Sequence, residues 1–232
     1  MASTIDASLL IDQPAAVDAI VGALMEKCNQ VLLSMEVPVK ARLGQRIPGL
    51  IQDSEEYSSL VGEQGKLRGQ LGVVDARSFI DTMAAKIAAN IFCKASRCVR
   101  SGDGFSGTFT VGILETGYGD LLGLAGATFQ STNRAGRVTD VPWLDWLLKG
   151  GNGPLVQNYF FLGVDSVRDR RWSRTGQGIM AKHRSRNWSV PQDFGPNVEE
   201  DNWLMRALAP LVKGTPSIAE TVLREELERL FV

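Results

Sequence analysis

The sequence predicts an α+β fold, and three observations carry that reading. Long stripes of apolar residues at three- and four-residue spacing dominate the first hundred positions. Alternating and aromatic runs suited to strands fill the middle, and helical spacing returns at the end. Helices and strands thus sit in separate blocks, unlike the strict alternation of a doubly wound parallel sheet. The expected architecture is long N-terminal helices packed on a small, mainly antiparallel sheet, with C-terminal helices.

The chain has 232 residues, 44% hydrophobic and 22% charged, an ordinary globular balance with length enough for a core without metal or disulfide support. Three parts are expected: an N-terminal helix and extended arm over residues 1–66, an α+β core over 67–213, and a C-terminal helix over 214–232. Residues 1–12 lack the basic start and apolar core of a signal peptide, and no run approaches the roughly 20 apolar residues that span a bilayer. A protein made in a cytoplasm, without a membrane partner, is the expectation. The three cysteines, Cys28, Cys93 and Cys98, form no Cys-x-x-Cys pair and read as buried reduced thiols.

Asp12, Gln13 and Pro14 suit a helix start. Val17, Ile20, Val21, Leu24, Cys28, Val31, Leu32 and Met35 then form one apolar face, either for the core or for a neighbouring subunit. Pro38 is expected to end this helix, because the residue before a proline is pushed out of the helical region. Residues 36–66 read as irregular, with a short helix near 54–60. A second strong helix is expected over 75–96, capped by Asp75, with Phe79, Ile80, Met83, Ala84, Ile87, Ala88 and Ile91 buried.

The glycine-rich turn at 102–107 is no phosphate loop, since no Gly-Lys-Ser/Thr follows. Phe105, Phe109, Val111 and Ile113 alternate as in a half-buried strand, and residues 127–131 suit another. Asp140 and Pro142 suggest a helix start, after which Trp143, Trp146 and Leu147 share a face flanked by Leu144 and Leu148. Such a helix anchors on a sheet or forms a protein–protein hot spot. Residues 155–164 make the best strand, and 188–190 a short returning one. Asp201 or Asn202 caps a helix through Leu211, and Thr215-Pro216 is expected to start a separate last helix, lined by Ile218, Val222, Leu223, Leu227 and Leu230.

The most distinctive stretch is basic. Arg168, Arg170, Arg171, Arg174, Lys182, Arg184 and Arg186 are offset only by Asp169, a local charge of +6. The whole chain has 25 basic and 26 acidic residues, so the remainder carries 18 − 25 = −7. These seven residues are the candidate protein-interface set, since a basic segment on one subunit complements an acidic face on the next. Their charge density, with Gly176 and Gly178 among them, predicts weak packing in an isolated subunit. DNA phosphates are the alternative target, which the net charge of −1 disfavours. No catalytic constellation is visible. The lone His183 reads as a solvated loop residue, no two-histidine metal site is possible in one chain, and no cofactor or metal is expected. Glu55-Glu56, Glu199-Glu200-Asp201 and Glu225-Glu226 read as solvated faces.

Several stretches together resemble a known family. They are LRGQLGV at 67–73, VPWLDWLL at 141–148, SRTGQGIM at 173–180, NWSVP at 187–191 and DNWLMRAL at 201–208. This pattern is similar to virion structural proteins of tailed bacteriophages, of the neck or tail-completion kind, and spans Leu67 to Leu208. The resemblance implies a non-enzymatic protein located in the virion. It implies a homo-oligomeric ring, often six-fold, between the portal-side connector and the tail tube, with at most non-specific contact to genomic DNA in the lumen. A tail terminator capping the tail tube is the neighbouring alternative.

Overall fold

The computed structural model describes residues 13–101, 104–133, 135–151, 153–163 and 173–231. The fold is α+β, as expected. Its N-terminal part is helical throughout: α1 is Gln13–Ser34, α2 Glu36–Gln52, α3 Glu55–Val61, α4 Lys66–Leu71 and α5 Ala76–Asn90.

Two expectations fail in this region. Pro38 does not end the helical run, and residues 36–66 are not irregular but hold α2, α3 and the start of α4. Pro38 falls in the first turn of α2, where backbone N–H groups have no intrahelical partner to lose. The chain crosses from α1 to α2 through Met35 in helical geometry. Met35 N–H donates to Val31 O at 3.1 Å, and Val39 N–H to Met35 O at 3.0 Å. The reason is packing: Val31, Met35, Val39, Leu43, Ile47 and Ile51 recur at steps of four and are all buried. Pro48 is tolerated inside α2 for the same reason, with Ile47 and Ile51 buried on either side of it.

Helix α5 stops at Asn90, short of residue 96, and Asp75 makes no side-chain capping bond. The residues beyond are taken by β1, Phe92–Ala95, which pairs antiparallel with β4, Phe109–Gly112. Between them β2, Val99–Ser101, pairs with β3, Gly104–Ser106. The alternating run at 105–113 is therefore two strands in two ladders. After the short α6, Gly119–Leu122, β5 (Phe129–Thr132) pairs with β6 (Val138–Val141). Asp140 lies in β6, and α7, Trp143–Leu148, begins at Pro142 without a side-chain cap.

The last ladder joins β7, Tyr159–Gly163, to β8, Gly178–Lys182. The expected returning strand at 188–190 is a single bridge between Val156 and Trp188. Among the described residues the strands thus form four separate two-stranded antiparallel ladders rather than one sheet.

Helix α8, Trp203–Phe231, is unbroken, and corrects the expected division at Thr215-Pro216. Leu204, Leu208, Leu211, Ile218 and Val222 keep helical phase across Pro210 and Pro216 and are all buried. Thr215 Oγ1 donates to Leu211 O at 2.9 Å between the two prolines. Both prolines are exposed, so their rings meet water rather than core. Helix α8 runs through the anticipated boundary at 213/214, and one buried cluster extends from Val31 to Val222.

Helix α2 lies antiparallel to α8. Arg42 pairs with Glu225 at 2.6 Å near one end, while Leu50 and Asp53 share a crevice with Arg206, Ala207 and Pro210 near the other. Beyond Glu225, α8 has only six residues left, about 9 Å. Helix α1 has 22 residues, about 33 Å. Helix α8 can therefore flank only the C-terminal part of α1.

Candidate assembly interface

Two surfaces stand out: the basic segment and the uncovered end of α1. Of the seven basic interface candidates, Arg168, Arg170 and Arg171 lie outside the described residues. The other four fall into two separated groups. Strand β8 runs between them, and its five residues cover about 13 Å from Gly178 to Lys182. The four described residues of the run are therefore not one patch in space.

Arg174 belongs to the fold rather than to a free surface. Its Nη1 donates to Gln130 O at 2.8 Å, and its guanidinium lies 3.9 Å from the centroid of the Phe129 ring. Gln177 Nε2 donates to Glu63 O, and Gly178 N–H to Ser173 Oγ at 3.1 Å. Gly69 lets Gln177 approach: a Cβ there would sit 2.4 Å from Gln177 Oε1. The weak packing expected for the segment thus does not hold over residues 173–178, because side-chain bonds to the α3–α4 connection and to β5 replace the missing apolar area.

Lys182, Arg184 and Arg186 remain exposed at the other end of β8. Among the described residues, Lys182 and Arg184 carry no ion pair, and Arg186 rests on the Phe160 ring at 5.1 Å. His183 packs edge-on to the Phe160 ring, at 5.4 Å between centroids, and its Nδ1 accepts from the Ser185 N–H at 3.3 Å. This end keeps an unneutralised basic group beside an aromatic ring.

The stretches that carry the resemblance meet one another. Gln70 Oε1 accepts from Trp188 Nε1 at 2.9 Å, Trp188 packs on Trp146 at 5.7 Å, and Asn202 Nδ2 lies 3.2 Å from Leu148 O. Lys66 pairs with Asp193 at 2.6 Å, which holds the Asp193 carboxyl below its usual range. Sequence reasoning missed the role of Arg206. Its guanidinium binds Glu56 at 2.8 Å and Asp201 at 3.1 Å, and donates to Pro196 O at 2.8 Å and to Phe194 O at 3.3 Å. Glu56, read as part of a solvated face, is buried against it. The partners are up to 150 residues apart, and no local signal joins them.

Helix α1 supplies the second surface. Val31 near its C-terminal end and Met35 just beyond it are buried, whereas Val17, Ile20 and Leu24 on the same apolar face are 52%, 61% and 40% exposed. The face is thus both core and surface, divided where α8 ends. An open apolar groove of about 550 Å³ lies between β4 and α8, lined by Phe109, Val111, Ile113, Leu208 and Val212 among others.

Among the described residues no group of three or more His, Cys, Asp or Glu side chains is placed to hold a metal, and no helix is long and apolar enough to cross a membrane. The fold and these surfaces define the class as an α+β protein with a helical core, short two-stranded ladders and an N-terminal helix whose apolar face is partly exposed. No family model, curated protein or solved structure matches the chain.

Proposed function

We propose that the chain is a non-enzymatic structural protein that assembles with copies of itself, as a ring-forming neck or tail-completion component of a tailed-phage virion. The observation that carries the self-assembly reading is the uncovered apolar face of α1. Val17, Ile20 and Leu24 continue a stripe whose other end forms core, and a helix with such a face is stable in water only weakly unless something covers it. A neighbouring copy is the natural cover. A projecting helix on one copy seated on a different surface of the next makes a heterologous contact, and such contacts close into rings. The phage assignment rests on the resemblance of residues 67–208, whose motif stretches pack together as one unit.

The test of self-assembly is native mass spectrometry and sedimentation of the wild type beside a Val17→Ser/Ile20→Ser/Leu24→Ser variant. The wild type is expected as a closed oligomer, and the variant as a monomer that keeps its helical circular-dichroism spectrum and melts cooperatively. A monomeric wild type at tens of micromolar, or equal assembly of both, overturns the reading. Electron microscopy after mixing with tailless phage heads, and separately with tail tubes, tests the station. Rings on the connector fit a neck protein, rings on the tube fit a tail terminator, and binding to neither overturns the phage assignment.

A second reading is contact with DNA, favoured by the unpaired Lys182 and Arg184 and by Arg186 on Phe160. Its test is retention of duplex DNA at 50 and 200 mM salt, since phosphate contacts weaken steeply over that range.

A further inference from the structure

Helix α1 is seated on the body through the turn that carries Cys28, and that turn holds a pair of thiols. Cys98, in the connection from β1 to β2, is buried at 7% exposure, and Cys28 is half-buried. The Cys28 side chain neighbours the Cys98 thiol and helps to raise it. Neighbouring contacts hold the two chain segments together at this point. Cys98 N–H donates to Asn29 Oδ1 at 2.7 Å. Gly107, just past β3, comes so close that a Cβ there would stand 2.9 Å from Leu32 Cδ1 and 3.1 Å from Cys98 Sγ. Asn29 and Leu32 flank Cys28 on α1, so the hairpin presses on one turn of the helix at the sulfur pair. Cys93 stands apart on β1, with Glu36 and Lys40 as its charged neighbours.

We propose that Cys28 and Cys98 are a redox-responsive pair, which a low-molecular-weight disulfide of the oxidised-glutathione class converts to an intramolecular disulfide stapling α1 to the β2–β3 hairpin. The inference stands independently of the assembly role. Cys28, the more accessible sulfur, gives up its proton and attacks one sulfur of the reagent. The reagent's S–S bond breaks, one reagent thiolate leaves, and it takes up a proton. Cys98 then loses its proton and attacks the Cys28 sulfur. The protein S–S bond forms as the second reagent thiolate leaves and is protonated. Two electrons pass from the protein dithiol to the reagent, and two small thiols are released.

Cys98 suits the second step. Burial, and then the adjacent Cys28, raise its thiol above the usual range, so it reacts poorly with reagents in solution. Beside an activated Cys28 it needs only to reach a neighbouring sulfur. The staple would fix the root of α1 while leaving Val17, Ile20 and Leu24 uncovered.

The experiment exposes the native full-length protein to oxidised glutathione, quenches with acid, alkylates in denaturant and maps the peptides by mass. The expected product has lost two hydrogens, takes up one alkyl group at Cys93 instead of three, and yields a peptide linking Cys28 to Cys98. Dithiothreitol restores three alkylation sites. Cys28→Ser and Cys98→Ser each abolish the link, and Cys93→Ser leaves it. Three free thiols after prolonged exposure, a glutathione adduct persisting on Cys28 without closure, or links through Cys93 would each overturn the proposal. The wild-type peptide map decides the matter even where a serine variant fails to fold.

Discussion

The side-chain amide of Asn202 donates to the Tyr118 hydroxyl at 2.8 Å, with both residues buried. The hydroxyl in turn donates to Glu199 O at 2.8 Å. On its other side Asn202 Oδ1 accepts from the N–H groups of Leu204 and Met205, each at 3.1 Å, and so caps α8. One side chain joins the start of the longest helix to the turn before α6. Asn202→Ala removes the cap, worth about 1 kcal/mol. It also strands buried polar partners, at about 1–3 kcal/mol. A loss of roughly 2–4 kcal/mol is expected in urea unfolding. A loss under about 0.5 kcal/mol, the range of surface changes, would mean that water replaces the amide without cost.

Alkaline pH tests the same contact through Tyr118. Burial raises its hydroxyl above the ordinary value; the Asn202 bond opposes the rise, and Glu199 and Glu200 add to it. A group raised in the folded state contributes stability that is intact below its unfolded pKa, about 10. That contribution is lost as pH climbs through the higher folded value. Phenolate absorbance should therefore show Tyr118 titrating later than in a denatured control, with stability falling in the same window. Titration of all three tyrosines together with the denatured chain would remove this prediction.

Trp143 is fully buried, meets Phe79 edge-on at 5.0 Å, and donates from Nε1 to Gly126 O at 2.7 Å. Trp143→Ala is expected to cost about 3–5 kcal/mol in chemical denaturation. Trp146 is only half-buried, against Trp188, and its alanine variant should cost clearly less. Equal losses at the two positions would contradict this division.

Charge reversal separates the two ends of β8. Lys182→Glu/Arg184→Glu/Arg186→Glu should leave the melting temperature nearly unchanged, because exposed charges contribute little to stability. If these residues meet an acidic neighbour, the same variant should lose assembly. Arg174→Glu should instead lower stability, since it removes the bond to Gln130 O and the contact with Phe129. Thermal melts beside sedimentation distinguish the two. Equal destabilisation by both variants would place the whole segment in the fold.

Pro216→Ala should stabilise the protein. The proline is exposed within α8 and denies Val212 O its helical donor. Alanine restores that bond, and part of the gain is offset by a freer unfolded chain. A net gain of about 1–2 kcal/mol is expected, below the roughly 3 kcal/mol scale of an interior helical proline. A loss would mean that the bend at this proline is required for α8 to follow α2.

The prolines also show how the sequence should be read. Pro38 and Pro216 are local stop signals, and taken alone they predicted two breaks that the fold does not contain. The correct signal was present in phase. Val31, Met35, Val39 and Leu43 keep one face across Pro38, and Leu208, Leu211, Ile218 and Val222 keep one across Pro210 and Pro216. A buried face over several turns outweighs the loss of one backbone bond at the exposed Pro210 or Pro216, and Pro38, in a first turn, has no such bond to lose.

Composition and periodicity determined the α+β class, the buried face of α5, the buried bulk of Trp143 and a cap for α8 at Asp201 or Asn202, because each follows from spacing within a few residues; the structure chose Asn202. The tertiary structure alone decided the rest. It divided the α1 stripe between core and surface where α8 runs out, set the described basic residues at two ends of β8, and tied Arg174 to β5. It also joined Arg206 to Glu56 and Cys28 to Cys98. These pairings span 44 to 150 residues of chain. Burial and electrostatics act through space, and residues so far apart meet only after the helices between them have packed.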